Sequence, residues 1–216
     1  MKIKICGLSR EQDIDYVNEA RPDYCGFVFA ESKRKVSPAQ AASLRRRLTE
    51  GITAVGVFVN APIEDITALY RGGVIDIAQL HGNEDEAYIA HLKEASGDTP
   101  IQVIQVIKYR EEESQRMTRI NTNNNSLCHS LTHSIDYYLL DSGAGSGETF
   151  DWGLLNSLNI EKPWFLAGGI NLDNIGQAMA VNPFGIDVSS GAETDGVKDR
   201  EKILQLVAAI RKEKTV

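Results

Sequence analysis

The chain has 216 residues, of which 42% are hydrophobic, 25% charged and 7% aromatic, with 18 glycines and six prolines; these proportions suit one globular domain and exclude disorder or collagen-like order. No apolar run reaches the roughly 18 residues that a membrane helix needs, and Met1 to Gly7 read as a strand, not as the apolar core of a signal peptide, so a cytoplasmic location is expected. With 23 basic against 30 acidic residues, the net charge of -7 offers no footprint for nucleic acid or anionic lipid, and any anionic ligand has to be held by local groups. Cys6, Cys25 and Cys128 form no CxxC pair, which argues against a disulfide framework.

Taken in chain order, short runs rich in Val, Ile, Phe and Tyr alternate with segments whose apolar residues recur at helical period. They predict strands at 3–7, 24–29, 52–59, 76–82, 102–108, 137–142, 164–169 and 185–191, and helices at 10–18, 38–48, 63–70, 84–95, 110–120, 152–158, 172–181 and 200–214. Ser37 before Pro38, Asp151 before Trp152 and Asn171 before Leu172 are candidate N-caps. In the last helix Ile203, Val207 and Ile210, flanked by Leu204 and Leu206, form an apolar stripe that should cover a strand. Eight βα units leave about 27 residues each, which fits a single (β/α)8 TIM barrel over residues 1–216. An open doubly wound sheet is the alternative, but Cys6-Gly7-Leu8-Ser9-Arg10-Glu11 after the first strand is not G-x-G-x-x-G. The polar, Asn- and Ser-rich stretch 121–134 breaks the pattern and reads as a flexible loop insertion. Its Cys128, His129 and His133 lack a second pair at finger spacing, so no metal site is expected.

A barrel of this kind carries its chemistry at the C-terminal ends of the strands. Side chains alternate along a strand, so Ile3 and Ile5 should meet the helices while Lys4 and Cys6 point inward, the ammonium below the thiol favouring thiolate. The same parity puts Gln79 with His81, and Leu139 with Asp141. Taken alone, Cys6 reads first as a small buried residue, since free Cys packs as a hydrophobe, and Cys25 should be that inert kind. Asp141 has no packing reason to end the run Tyr137-Tyr138-Leu139-Leu140; a cap or an ion pair is the plain reading, and a functional acid the sharper one. Glycine-rich turns follow three successive strands, at Gly143 to Gly147, Gly168-Gly169 and Ser189-Ser190-Gly191, where backbone N–H groups can cradle a phosphate. The turn from Glu31 to Pro38, basic at Lys33-Arg34-Lys35, would in most proteins be a solvated surface turn; here it overhangs the same mouth, where an arginine fork could grip a carboxylate.

Together, Lys4-Ile5-Cys6-Gly7, Ser32-Lys33-Arg34 leading to Val36-Ser37-Pro38, Gln79-Leu80-His81-Gly82, Leu140-Asp141-Ser142, Gly145-Ser146-Gly147 before Thr149-Phe150-Asp151-Trp152, Ala167-Gly168-Gly169 and Asp187-Val188-Ser189-Ser190-Gly191 resemble the phosphoribosylanthranilate isomerase family, in order and in register. The resemblance implies a metal-free, cofactor-free barrel that performs the Amadori rearrangement of N-(5'-phosphoribosyl)anthranilate in tryptophan biosynthesis. It implies Cys6 as general base and Asp141 as general acid, with Arg34 on the anthranilate carboxylate and Gln79 and His81 near the substrate. Gly145, Gly147, Gly168, Gly169, Ser190 and Gly191 would hold the phosphate. Acid and base need opposite protonation states, so burial should raise the pKa of Asp141 and Lys4 should lower that of Cys6. Two departures from the family stand out: a short loop after Asp141 with Ala144 and Glu148 where Gly and often Lys occur, and the 121–134 insertion.

Another phosphosugar barrel, the histidine-pathway aminoaldose isomerase, would want an acid at the end of the first strand, where Lys4 and Cys6 stand. Indole-glycerol-phosphate synthase would want a lysine and glutamate set with no counterpart beyond Lys108. A ligand-sensing barrel without turnover is the non-enzyme alternative. No predicted helix has an outer apolar face broad enough to demand a partner, so a monomer or weak homodimer with one phosphorylated small-molecule ligand is expected. The chain starts at the first strand and ends after the eighth helix, which suits a stand-alone enzyme.

Overall fold

Eight short strands pair in parallel, each with its neighbours in chain order: β1 (Lys2–Cys6), β2 (Tyr24–Val28), β3 (Thr53–Phe58), β4 (Ile77–Leu80), β5 (Gln102–Lys108), β6 (Tyr137–Asp141), β7 (Trp164–Ala167) and β8 (Gly185–Val188). In this computed structural model, which describes residues 1–108, 134–141, 152, 155, 160 and 162–212, β8 also pairs with β1, so the sheet closes into a barrel. Closure excludes the open doubly wound sheet. The predicted helices at 110–120 and 152–158 lie outside the described residues, apart from Trp152 and Leu155, which are buried in the outer core. The 121–134 insertion, with Cys128, His129 and His133, lies outside them too, except for Ser134.

The described helices are α1 (Glu11–Ala20), α2 (Pro38–Arg47), α3 (Ile63–Arg71), α4 (Glu86–Ala95), α5 (Ile175–Ala180) and α6 (Arg200–Lys212). Ser37 caps α2 as its sequence predicts, its Oγ accepting from the Gln40 N–H at 3.2 Å with Pro38 in the first turn. Asp85 does the same for α4, accepting from the Tyr88 N–H at 2.8 Å. Asn171 does not cap a helix. Its Oδ1 closes a local turn onto the Asp173 N–H at 2.8 Å, and α5 begins only at Ile175, because an Asn side chain satisfies a turn two residues on as readily as a helix end. Along α6 the buried residues are Ile203, Leu206, Val207 and Ile210, and that face lies against α1 and β1.

Strand alternation divides the core in two. Ile3, Ile5, Cys25, Phe27 and Phe58 face outward into the layer shared with the helices. Tyr24, Val55, Ile77, Ile104, Leu139 and Phe165 point inward and form an apolar floor, in which the Phe165 ring stands edge-on to Tyr24 at 5.3 Å and to Phe184 at 5.4 Å. Gly185 on β8 makes room for this ring; a Cβ there would lie 2.6 Å from Phe165 Cε1.

At the strand entries one device recurs. Asp23, Asp76 and Asp136, which precede β2, β4 and β6, each accept a backbone N–H from the neighbouring odd-numbered strand: Ile3 at 3.0 Å, Ala54 at 2.7 Å and Val103 at 2.8 Å. Each also takes a cation from a helix, Arg211 at 2.9 Å, Arg45 at 3.0 Å and Lys93 at 2.7 Å respectively. The carboxylates thereby lock strand and helix register at the end of the barrel opposite the mouth. No described helix is long and apolar enough to cross a membrane.

Because Phe165 fills the floor with no exposure, Phe165→Ala should cost about 3–5 kcal/mol of stability, read as a lower urea midpoint. A midpoint unchanged within error would show that the floor is not what holds the barrel shut.

Candidate active site

Above the floor the barrel interior turns polar. Lys4 on β1 sits level with Asp187 on β8, and its Nζ donates to Asp187 Oδ2 at 3.0 Å, to Oδ1 at 3.1 Å, and to Gln79 Oε1 on β4 at 2.8 Å. Burial would push this ammonium toward neutrality, but the Asp187 carboxylate and the Cys6 thiol more than offset it and leave its pKa raised. Gln79, predicted near a ligand, therefore reaches the site through Lys4.

Cys6 stands one step higher on the same face of β1 and is 7% exposed. Gly26, its register partner on β2, has no side chain, and a Cβ there would lie 2.6 Å from the Cys6 Sγ. The expected lowering of the thiol pKa by Lys4 does not prevail. Burial pushes Cys6 above the ordinary thiol value of 9.0; Lys4 and Lys198 pull the other way, while Asp187 adds to the rise. Burial is the larger cause, and Asp187, by matching part of the Lys4 charge, adds to it. Cys25, wholly buried among the helices, is pushed up to about 12 by the same desolvation and is the inert thiol its sequence suggests.

Arg34 lies in the loop from β2 to α2, where Arg34 N–H donates to Ser32 Oγ at 2.9 Å and Val36 N–H to Val28 O at 2.9 Å. Its side chain runs over Gly7, which has φ +83° and leaves no room for a Cβ, since that atom would lie 2.4 Å from Arg34 Cδ. The guanidinium forks onto Glu193, Nε to Oε1 at 2.6 Å and Nη2 to Oε2 at 2.8 Å. The arginine fork expected to grip a carboxylate thus already holds one from its own chain. Lys198 reaches the same group, donating to Glu193 Oε1 at 2.7 Å and to Ser189 O at 3.0 Å. Burial would raise the Glu193 pKa, but hydrogen bonds from Arg34 and Lys198 overcome it and hold the carboxyl at about 2.

Asp141 ends β6, and its Oδ2 lies 3.4 Å from His81 Nε2, at the long edge of hydrogen-bonding range. His81 follows β4, in a loop held by Glu84, whose carboxylate accepts from the Asn60 N–H at 2.6 Å and the Gly82 N–H at 2.8 Å. Of the predicted phosphate loops, Gly145 and Gly147 lie outside the described residues. Gly168 and Gly169 follow β7 with φ of +99° and +65°, conformations that favour glycine. Strand β8 stops at Val188 and does not reach 191 as expected; Ser190–Ala192 form a 3-10 turn. The turn brings Gly191 against the backbone after β7, where a Cβ would lie 1.9 Å from Ile170 O, so the two glycine loops are pressed together.

Three residues of the mouth escape a reading of strand ends alone: Asp187, Glu193 and Lys198. Asp187 shares parity with Ser189, and its acid was a readable signal. Glu193 and Lys198 face each other across a hairpin of β9 (Glu193–Thr194) and β10 (Val197–Lys198), whose Asp195-Gly196 turn has both residues at positive φ, +51° and +80°. Asp-Gly between short strands is a hairpin signature that could have found them. A separate apolar groove of about 590 Å³ lies between α2 and α3, lined by Phe29, Phe58, Val59 and Leu69, and contains none of the candidate residues.

The family model described as N-(5'phosphoribosyl)anthranilate (PRA) isomerase matches residues 3–209. N-(5'-phosphoribosyl)anthranilate isomerase from Endomicrobium trichonymphae is 43% identical over 216 residues, covering 97% of this chain and 98% of that one. The crystal structure of phosphoribosyl anthranilate isomerase from Thermotoga maritima superposes with a TM-score of 0.80 at 31% identity, covering 98% of this chain and 99% of that one. A phosphoribosyl anthranilate isomerase in complex with reduced 1-(o-carboxyphenylamino)-1-deoxyribulose 5-phosphate superposes with a TM-score of 0.75 at 30% identity and the same coverage. With the barrel, its polar mouth and these matches across nearly the whole length, the chain belongs to the phosphoribosylanthranilate isomerase family.

Proposed function

We propose that the chain converts N-(5'-phosphoribosyl)anthranilate to 1-(2-carboxyphenylamino)-1-deoxyribulose 5-phosphate, the isomerisation of tryptophan biosynthesis, with Cys6 as base and Asp141 as acid. Besides family membership, one observation carries the assignment of roles: a thiol ending β1 and a carboxyl ending β6 project into one mouth, each on the inward face of its strand.

Protonated Asp141 would give its proton to the furanose ring oxygen as the C1–O bond breaks, leaving a Schiff base between C1 and the anthranilate nitrogen. Once its own thiol proton has passed to solvent, Cys6 as thiolate would remove the C2 proton, and those electrons move to give an enolamine, which tautomerises to the C2 ketone. The rearrangement moves electrons from C2 to C1 within the substrate and calls for no outside oxidant or reductant. The Lys4 ammonium, fixed by Asp187 and Gln79, lies where it stabilises negative charge on the Cys6 sulfur once that charge forms. Arg34 would hold the aryl carboxylate, His81 would keep Asp141 in place, and Gly145, Gly147, Gly168, Gly169, Ser190 and Gly191 would supply N–H and hydroxyl donors to the phosphate. This reading places the chain in the cytoplasm as a monomer or weak homodimer that acts on a small phosphorylated substrate. The histidine-pathway alternative is disfavoured because the inward residue ending β1 is a thiol.

Cys6→Ser and Asp141→Asn should each lower kcat by roughly 10²–10⁴-fold while circular dichroism stays unchanged, measured by loss of anthranilate fluorescence with substrate generated in situ. Near-wild-type turnover in either variant overturns that residue's role, and a wild-type protein without turnover favours a sensing barrel. Arg34→Ala should raise KM more than it lowers kcat; an unchanged KM removes Arg34 from the site. Since burial holds Cys6 protonated at neutral pH, its thiolate fraction grows as pH rises toward and past 9.0, and alkylation by iodoacetamide, followed at the Cys6 peptide by mass spectrometry, should accelerate over that range. A plateau already reached at pH 7 would show that Lys4 prevails over desolvation.

A further inference from the structure

We infer that Glu193 is a positioning residue for Arg34: it holds the Nε–Nη2 edge of the guanidinium so that the remaining Nη1–Nη2 edge is aimed at the aryl carboxylate of the substrate. The inference rests on the isomerase reading and adds to it a residue that takes no part in the proton transfers.

A guanidinium is planar and offers two bidentate edges. In this protein Glu193 takes the side-on edge at 2.6 and 2.8 Å, and among the described residues the Arg34 guanidinium has no other side-chain partner within hydrogen-bonding distance. The end-on edge is the one available to a second carboxylate. Arg34 is long and several-jointed, and in a loop it would sample many rotamers; the fork to Glu193, with the stem pressed over Gly7, leaves it one.

Glu193 is itself fixed from the far side. Lys198, its register partner across the hairpin, donates to Oε1 at 2.7 Å and to Ser189 O at 3.0 Å, and Ser189 Oγ donates to Cys6 O at 3.2 Å. Arg10 Nη2 anchors the Lys198 carbonyl at 2.9 Å. A continuous chain of bonds therefore runs from the backbone of Cys6 through Ser189, Lys198 and Glu193 to Arg34, and sets the carboxylate-binding edge relative to the thiol. Nor does Glu193 cancel the charge that a carboxylate seeks. Arg34 and Lys198 share it, and Lys33 adds a third cation at 3.8 Å, so the cluster stays positive.

The test compares wild type, Glu193→Gln, Arg34→Ala and the double variant in calorimetric titrations with two probes: reduced 1-(2-carboxyphenylamino)-1-deoxyribulose 5-phosphate, and the same compound without the ring carboxyl. Glu193→Gln should weaken the carboxylated probe about three- to tenfold, the cost of ordering one long side chain on binding, and leave the carboxyl-free probe unchanged. KM should rise with kcat little altered, Glu193→Asp should recover part of the loss, and in the Arg34→Ala background Glu193→Gln should have no further effect. Equal losses on both probes, or a loss that persists without Arg34, would mean Glu193 only supports the fold. Tighter binding by Glu193→Gln would make Glu193 a competitor for Arg34; either result overturns the proposal. A wild-type protein that binds neither probe defeats the isomerase reading and the proposal together, whereas normal wild-type binding with an unaffected variant defeats the proposal alone.

Discussion

The ammonium of Lys4 is buried inside the barrel, and the neighbouring choices follow from the need to pair it. A lone charge in such a place costs several kcal/mol, and Asp187 and Gln79 meet it from two other strands, at 3.0 and 2.8 Å. Both partners lie on inward faces, so the pairing also demands the strand register that brings them level. Below this layer the interior is apolar down to Phe165; above it the mouth begins. The pair is close to neutral as a unit, which is why the thiol just above it gains less than an isolated lysine would give. Lys4 is thus better suited to stabilise a thiolate formed during turnover than to maintain one at rest.

The same economy of charge explains how an acidic chain presents a positive mouth. Of its 30 acidic residues, Asp23, Asp76 and Asp136 are committed to backbone N–H groups and helix cations at the strand entries. At the opposite end Arg34, Lys198 and Lys33 converge on the single carboxylate of Glu193. Net charge of the whole chain says nothing about this local excess, because exposed charges beyond about 8–10 Å are screened while those at the mouth are partly buried.

Much of this is legible in the amino-acid sequence. Alternating Lys4 and Cys6 against Ile3 and Ile5 decides which faces are inward, and a buried lysine below a cysteine is a signal that survives folding. The parity of Gln79 with His81 comes from the same period of two, and the order of strands from the alternation of strand and helix segments. What was not legible is competition among side chains. Nothing in the run Lys33-Arg34-Lys35 says that its arginine will meet Glu193, 159 positions away, nor does Lys4 reveal that its charge is matched by Asp187, 183 positions away. Parity places Lys4 beneath Cys6 but shows neither how strongly burial penalises the thiolate nor that Asp187 offsets the ammonium, so the thiol pKa rises where Lys4 alone would lower it. Asn171 failed differently, since a turn two residues long and a helix cap use the same side chain.

Those separations carry a consequence for how the site comes into being. Lys4 and Cys6 belong to the first strand, Arg34 follows the second, and Asp187, Glu193 and Lys198 come from the eighth strand and the hairpin after it. The side of the mouth that holds Lys4, Cys6 and Arg34 is therefore assembled across the β1–β8 seam, where the first and last strands meet. Contacts of such long sequence separation carry the largest loop-closure cost and tend to form late. Without the seam, Lys4 would lose its countercharge and Arg34 its carboxylate at once, so a partly closed barrel could bury neither the lysine nor orient the arginine. Barrel closure and formation of the ligand-binding mouth are in this sense the same event, and the polar groups that make the mouth chemically useful are also those that require the ring to be complete.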